Sequence, residues 1–209
     1  MYLTENLIWR YATKKYDTSK KVSEHDIHYI KEAVQLTASS YGLQPFKVLE
    51  IKNPELREEL KPLAWNQSQI TDASHLFVFC NAIEVTDQDV DDLMQLRAQT
   101  NDIPLEKLSG YGNFVKGKLK EKSAVEMFHW TAKQAYIALS TALNACAEQK
   151  IDSSPMEGFE SDDINKKLGL NEIGLNACVL LAVGYRHADD RAQNAKKVRK
   201  PIDVIFKDI

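Results

Sequence analysis

Two short basic clusters stand at opposite ends of a slightly acidic chain: Arg10-Tyr11-Ala12-Thr13-Lys14-Lys15 and Lys196-Lys197-Val198-Arg199-Lys200-Pro201. Arginine offers a planar fork of donors to phosphate oxygens, and lysine acts as a point charge. If folding joins the two ends, these residues make a phosphate site; if not, each is solvated surface. Three further segments carry polar groups suited to a heterocyclic ligand. Thr37-Ala38-Ser39-Ser40-Tyr41-Gly42-Leu43-Gln44-Pro45-Phe46 could bind a polar cofactor through hydroxyls and backbone N–H groups, or serve as an ordinary turn. Trp65-Asn66-Gln67-Ser68-Gln69-Ile70 holds three amide side chains able to pair with the donor–acceptor edge of a ring, and equally reads as a polar helix start. Ser154-Pro155-Met156-Glu157-Gly158-Phe159 suggests a turn with exposed backbone amides that could meet a ring nitrogen.

These segments need a scaffold. At 209 residues, with 44% hydrophobic and 27% charged positions, the chain has the balance of a soluble globular domain with a substantial core. The net charge of −3 does not favour nucleic acid or an anionic membrane. No apolar run approaches the roughly 20 residues of a membrane span. Glu5 and Arg10 interrupt the first apolar stretch, which excludes a signal-peptide layout and points to a cytosolic protein. Cys80, Cys146 and Cys178 are widely spaced and form no CxxC pair, so reduced, buried thiols are expected. His25 and His28 share a helical spacing, but no cluster completes a metal site.

Helical periodicity is expected over 2–9, over 24–37 behind a Ser23 cap, and after Asn53-Pro54. Strands are expected at 46–51, at the apolar run 75–80, at 176–184 and at 203–206. Residues 85–122 read as a polar helical excursion broken at Ser109-Gly110-Tyr111-Gly112-Asn113. Residues 123–148 form the longest helix, apolar over much of its circumference, as suits a core or interface helix. Helices mixed with a few strands fit a three-layer sandwich around a four- or five-stranded sheet.

In this order the segments resemble the FMN-dependent nitroreductases, in particular the oxygen-insensitive NAD(P)H nitroreductase and dihydropteridine reductase branch. The resemblance rests on Arg10 to Asp17, Ser39-Ser40 with Gln44-Pro45-Phe46, Asp72-Ala73-Ser74-His75, Trp130 to Gln134 with Tyr136, Pro155 to Phe159, and Lys197-Val198-Arg199. It implies a single FMN-binding domain over 1–209 of α+β class, a mostly antiparallel central sheet with helices on both faces, and an intertwined homodimer with FMN at the interface. It implies NAD(P)H as co-substrate and a small-molecule electron acceptor, nitroaromatic or quinone, with a flavin, pteridine or enone reductase as the alternative on the same scaffold, or a flavin-binding protein of low turnover.

The resemblance also implies roles for the residues. Arg10, Lys197 and Arg199 would hold the FMN phosphate, within the cofactor-binding run Arg10, Tyr11, Ala12, Thr13 and Lys14. Lys14 would face the flavin N1 and O2 edge. Ser39, Ser40 and Gly42 would come from the partner subunit, and Asn66 would meet the pyrimidine edge. The Glu157 backbone N–H would reach N5, with Gly158 beside O4. Three positions depart from the family pattern: Ala12 replaces a serine, Gly42 an asparagine and Gln69 a second lysine that often faces the flavin. Reduced flavin carries negative charge near N1 and O2, so with Lys14 as the one cation there the flavin should be harder to reduce.

Overall fold

The computed structural model describes residues 2–209. Its centre is a four-stranded sheet in the order β1-β2-β4-β3, with every pair antiparallel: β1 is Phe46–Glu50, β2 His75–Ala82, β3 Asp152–Met156 and β4 Leu175–Gly184. In β2, alternate side chains point to opposite faces, as the pleat requires. Phe77 and Phe79 enter one core, while Leu76, Val78 and Cys80 enter the other.

Helices α1 (Leu3–Trp9), α2 (Glu24–Gln35) and α7 (Ala124–Glu148) belong to the Phe77–Phe79 side, where Ile27, Ile30, Ala138, Leu139, Ala142 and Cys146 are buried. On the other face α3 (Pro54–Leu60), α4 (Gln69–Asp72) and α8 (Ser161–Leu168) bring Leu60, Ile70 and Ile164 onto Leu76, Val78 and Leu180. This is the expected α+β three-layer sandwich. The helix starts follow from their sequences: Ser23, Asn53 and Ser123 each accept a backbone N–H from the first turn, and Glu126 closes a capping box with Ser123.

Three expectations fail. First, Ser109 to Asn113 is no break but the opening of α6 (Ser109–Lys120). Gly112 packs closely there: a Cβ would lie 3.2 Å from Met94 Cγ on α5 (Asp87–Asn101). The excursion turns instead at Asp102, which is left-handed at φ 52°. Second, the expected last strand at 203–206 is a short helix, α9 (Ile202–Ile205), with no strand beside it. Third, Ser154 to Met156, the opening of the segment read as a turn, belongs to β3, Asp152–Met156. Pro155 is tolerated because β3 lies at the sheet edge, where a missing N–H costs no ladder partner on the open side.

Candidate functional site

The two basic clusters do meet. Lys197 Nζ donates to the carbonyl of Leu7 at 2.6 Å and, in a very short bond, to that of Arg10. It thereby satisfies carbonyls at the C-terminal end of α1, where a cation suits the helix dipole. Arg199 lies close enough to both residues to lower their pKa values. Burial and then Arg199 bring Arg10 below its ordinary value; burial, then Arg10, then Arg199 do so for Lys197. Among the described residues none of the three forms an ion pair with a carboxylate. The buried Nε of Arg10 has no hydrogen-bond partner. Three converging cations with an orphaned buried donor and no counter-ion are chemically matched to an anion of more than one charge.

Asp190 ties this cluster to the first basic segment. Its Oδ2 accepts the backbone N–H of Lys14 at 2.8 Å and of Lys15 at 3.2 Å, and the Tyr11 hydroxyl at 3.1 Å; its Oδ1 accepts the Ala192 N–H at 3.0 Å. Lys14 is thus fixed by its backbone while its side chain stays exposed. Tyr11 and Thr13 spend their side chains inside the protein. Thr13 is fully buried with Oγ1 3.4 Å from Asp152 Oδ1, and the Tyr11 ring lies 4.6 Å from the Arg186 guanidinium. Arg186 in turn binds Asp152 at 2.7 Å and sits 4.5 Å from the Trp9 ring, which fixes the chain on both sides of Arg10. Ala12, partly buried, makes a parallel bridge to Ser153 of β3.

From that bridge β3 leads to Glu157, about 13 Å further at an ordinary strand rise. Here two other segments meet. A Cβ on Gly158 would lie 2.7 Å from Trp65 Cε3, so only glycine admits the indole. Gln67 Nε2 donates to the Gly158 carbonyl at 2.7 Å, and Trp65 Nε1 donates to Glu160 at 2.8 Å. The carbonyl of Glu157 accepts from Phe159 at 3.0 Å, yet among the described residues the N–H groups of Glu157 and Gly158 have no backbone acceptor. Trp65 and Asn66 are both left-handed, at φ 53° and 54°, a costly conformation of the kind that clusters at ligand sites. Asn66 is exposed, whereas Gln69 is only 6% exposed. Arg57, buried and donating to the carbonyls of Ile70 and Ala73 at 2.6 Å each, holds the loop below.

The structure does not bring Ser39, Ser40 and Gly42 to these groups. The Ser40 N–H donates to Gln134 Oε1 at 2.8 Å, and Ser39 Oγ accepts from the Gln44 N–H at 2.9 Å. Gly42 is exposed at φ 75°. Gln134 and the Arg10 neighbour Cys146 lie twelve residues apart on α7, about 18 Å along its axis.

The sequence model of the Nitroreductase family matches residues 7–185, most of the chain. The chain belongs to the Nitroreductase family. Among its nitroreductase relatives, the protein provisionally named NAD(P)H nitroreductase YfkO of Bacillus subtilis strain 168 is 35% identical over 201 residues, covering 91% of each chain. The major NAD(P)H-flavin oxidoreductase of Aliivibrio fischeri is 32% identical over 204 residues and 94% of each chain. A structure from Exiguobacterium sibiricum, described provisionally as a nitroreductase in complex with FMN, shares the fold at a TM-score of 0.87 and 22% identity, over 99% of this chain and 97% of that one.

Several residues that build this candidate site carry no sequence signal. Asp190 is an unremarked carboxylate in a loop, and Asp152, Arg186 and Arg57 act through partners far along the chain or through backbone carbonyls. The Tyr41-Gly42 and Trp65-Asn66 backbones could have been suspected only from their loop composition.

Proposed function

We propose that this nitroreductase-family chain is an FMN-dependent oxidoreductase that takes two electrons from NAD(P)H and delivers them to a nitroaromatic or quinone acceptor. The observation that carries the reading is the cluster of Arg10, Lys197 and Arg199, with a buried guanidinium nitrogen left without a partner and no carboxylate to neutralise it. A phosphate monoester fits that cluster in charge and donor geometry. The unpaired amides of Glu157 and Gly158 fit the acceptor atoms at a flavin's N5 and O4. The relatives' names, an NAD(P)H nitroreductase and an NAD(P)H-flavin oxidoreductase, support the same assignment.

In this reading Arg10, Lys197 and Arg199 bind the phosphate, and the backbone of 11–14 follows the ribityl chain. Lys14 supplies positive charge at the N1 and O2 edge, Asn66 meets the pyrimidine edge, and the Glu157 and Gly158 amides orient the ring. Bound FMN supplies the reversible two-electron chemistry, so no side chain need act as acid or base. Hydride donor and acceptor use one slot in turn, a ping-pong cycle.

A homodimer completes the site. Ser39, Ser40 and Gly42 sit in the loop beside Gln134, too far along the axis of α7 from the Arg10 cluster to serve it in their own chain, so a partner presents them. Apolar side chains support an interface as well: Val125 is 67% exposed, and Ile202, Val204, Ile205 and Phe206 of the C-terminal segment are all uncovered. The name of the Aliivibrio fischeri relative favours a second reading, in which a free flavin is the acceptor. Steady-state rates with NADH or NADPH against a nitroaromatic, a quinone and free flavin test these readings. Parallel double-reciprocal lines with the first two support the proposal. Turnover of free flavin alone supports the second reading.

A further inference from the structure

Tyr136 and Glu157 form a side-chain link between the long helix and the turn after β3. Tyr136 projects from α7 and donates its hydroxyl to Glu157 Oε1 in a short bond. Burial, and then the bond to Glu157, push the phenol well above its ordinary pKa. The same carboxylate reaches β4, where burial and then Glu157 raise the Cys178 thiol to about 11. The bond to Tyr136 thus holds the Glu157 side chain against α7, while its backbone N–H and that of Gly158 remain without an acceptor among the described residues. The rest of the turn is held from below, by Gln67 on the Gly158 carbonyl and by the Trp65 ring.

We propose that Tyr136 is a positioning residue of the cofactor site, whose hydroxyl anchors the Glu157 carboxylate so that the Glu157 and Gly158 amides face the flavin and the carboxylate does not. The inference rests on the FMN reading. A carboxylate released beside the ring would oppose the negative charge gained on reduction. Without its anchor, the turn should bind reduced FMN less well than oxidised FMN.

The test is the reduction potential of bound FMN, by reductive titration against a reference dye, in wild type, Tyr136→Phe, Glu157→Gln and the double variant. Tyr136→Phe keeps the ring and removes only the hydroxyl. It should shift the ratio of affinities for oxidised and reduced FMN about tenfold, which lowers a two-electron potential by about 30 mV. In the Glu157→Gln background, where no carboxylate can be released, Tyr136→Phe should have no effect. An unchanged potential in Tyr136→Phe overturns the inference while leaving the FMN reading intact. An effect that persists undiminished in the double variant also overturns it. Should Tyr136→Phe fail to fold, Tyr136→Leu takes its place in the same two backgrounds, and a potential that it leaves unchanged with Glu157 present overturns the inference. A wild-type protein that binds no FMN overturns both the inference and the reading beneath it.

Discussion

The carboxylate of Asp190 accepts the backbone N–H of Lys14 at 2.8 Å, across 176 positions of sequence. This bond, with those from Lys15, Tyr11 and Ala192, fastens the segment after α1 to the loop that leads into the C-terminal cations. Proper placement of Lys14 and Arg10 thus depends on a residue that would touch no ligand.

Asp190→Asn should destabilise the protein by about 2 kcal/mol, the scale of hydrogen bonds to a buried charge. Burial alone would raise the Asp190 pKa, but the three backbone N–H groups and the Tyr11 hydroxyl outweigh it and hold the carboxyl below its ordinary 3.8. A group depressed in the folded state gives stability above its unfolded pKa and loses it as pH falls through the folded value. The gap in melting temperature between wild type and Asp190→Asn should therefore be full at neutral pH and shrink below about pH 4. A gap independent of pH would refute this account of Asp190.

Arg199→Ala should weaken FMN binding roughly ten- to a hundredfold, the value of a charge-assisted pair with phosphate. Lys15→Ala should change it little, because Lys15 is exposed and its ammonium already pairs with Asp189 at 3.2 Å. Fluorescence titration of apoprotein with FMN separates the two. Equal losses would remove Arg199 from the phosphate site.

Gly158→Ala should cost about 1–3 kcal/mol, the range for overpacking, because the new methyl would lie 2.7 and 2.8 Å from two atoms of the Trp65 ring. Thermal unfolding measures the loss, and tryptophan fluorescence should report a displaced indole. A variant as stable as wild type, with unaltered fluorescence, would show that Trp65 does not rest on Gly158.

Much of the scaffold is legible in the sequence because its determinants are local. Ser23 and Ser123 each cap the helix that follows, and the apolar spacing through 124–148 is that of a helix packed on a sheet. The candidate site segments are legible as polar groups in loops. The failures come where long-range packing overrides local preference. Gly110 and Gly112 read as a break, yet both are helical in α6, where Gly112 packs closely against Met94 of α5. Pro155 hides β3, whose strand character comes from pairing with β4 at the sheet edge. Val204 and Ile205 suit a strand, but with no strand beside them they close a helical turn. Asp190 and Tyr136 act on residues 176 and 21 positions away, and no local pattern encodes either contact.

The protein should behave as an obligate homodimer. One chain leaves Val125 and Ile137 of α7 exposed together with the apolar C-terminal segment, and it holds Ser39 and Ser40 far from the cation cluster. Obligate interfaces bury surfaces of this apolar kind. Sedimentation of the dilute protein should show one dimeric species that retains FMN. A stable, FMN-loaded monomer would contradict the shared site.

The central claim is most directly tested by the visible absorption spectrum of the purified protein, before and after NADH or NADPH is added without oxygen. The account predicts a yellow protein with about one FMN per chain, whose visible flavin band bleaches on addition of the nucleotide and returns when an acceptor follows. A colourless protein that gains no visible absorbance with added FMN, or a bound flavin that neither nucleotide bleaches, would contradict it.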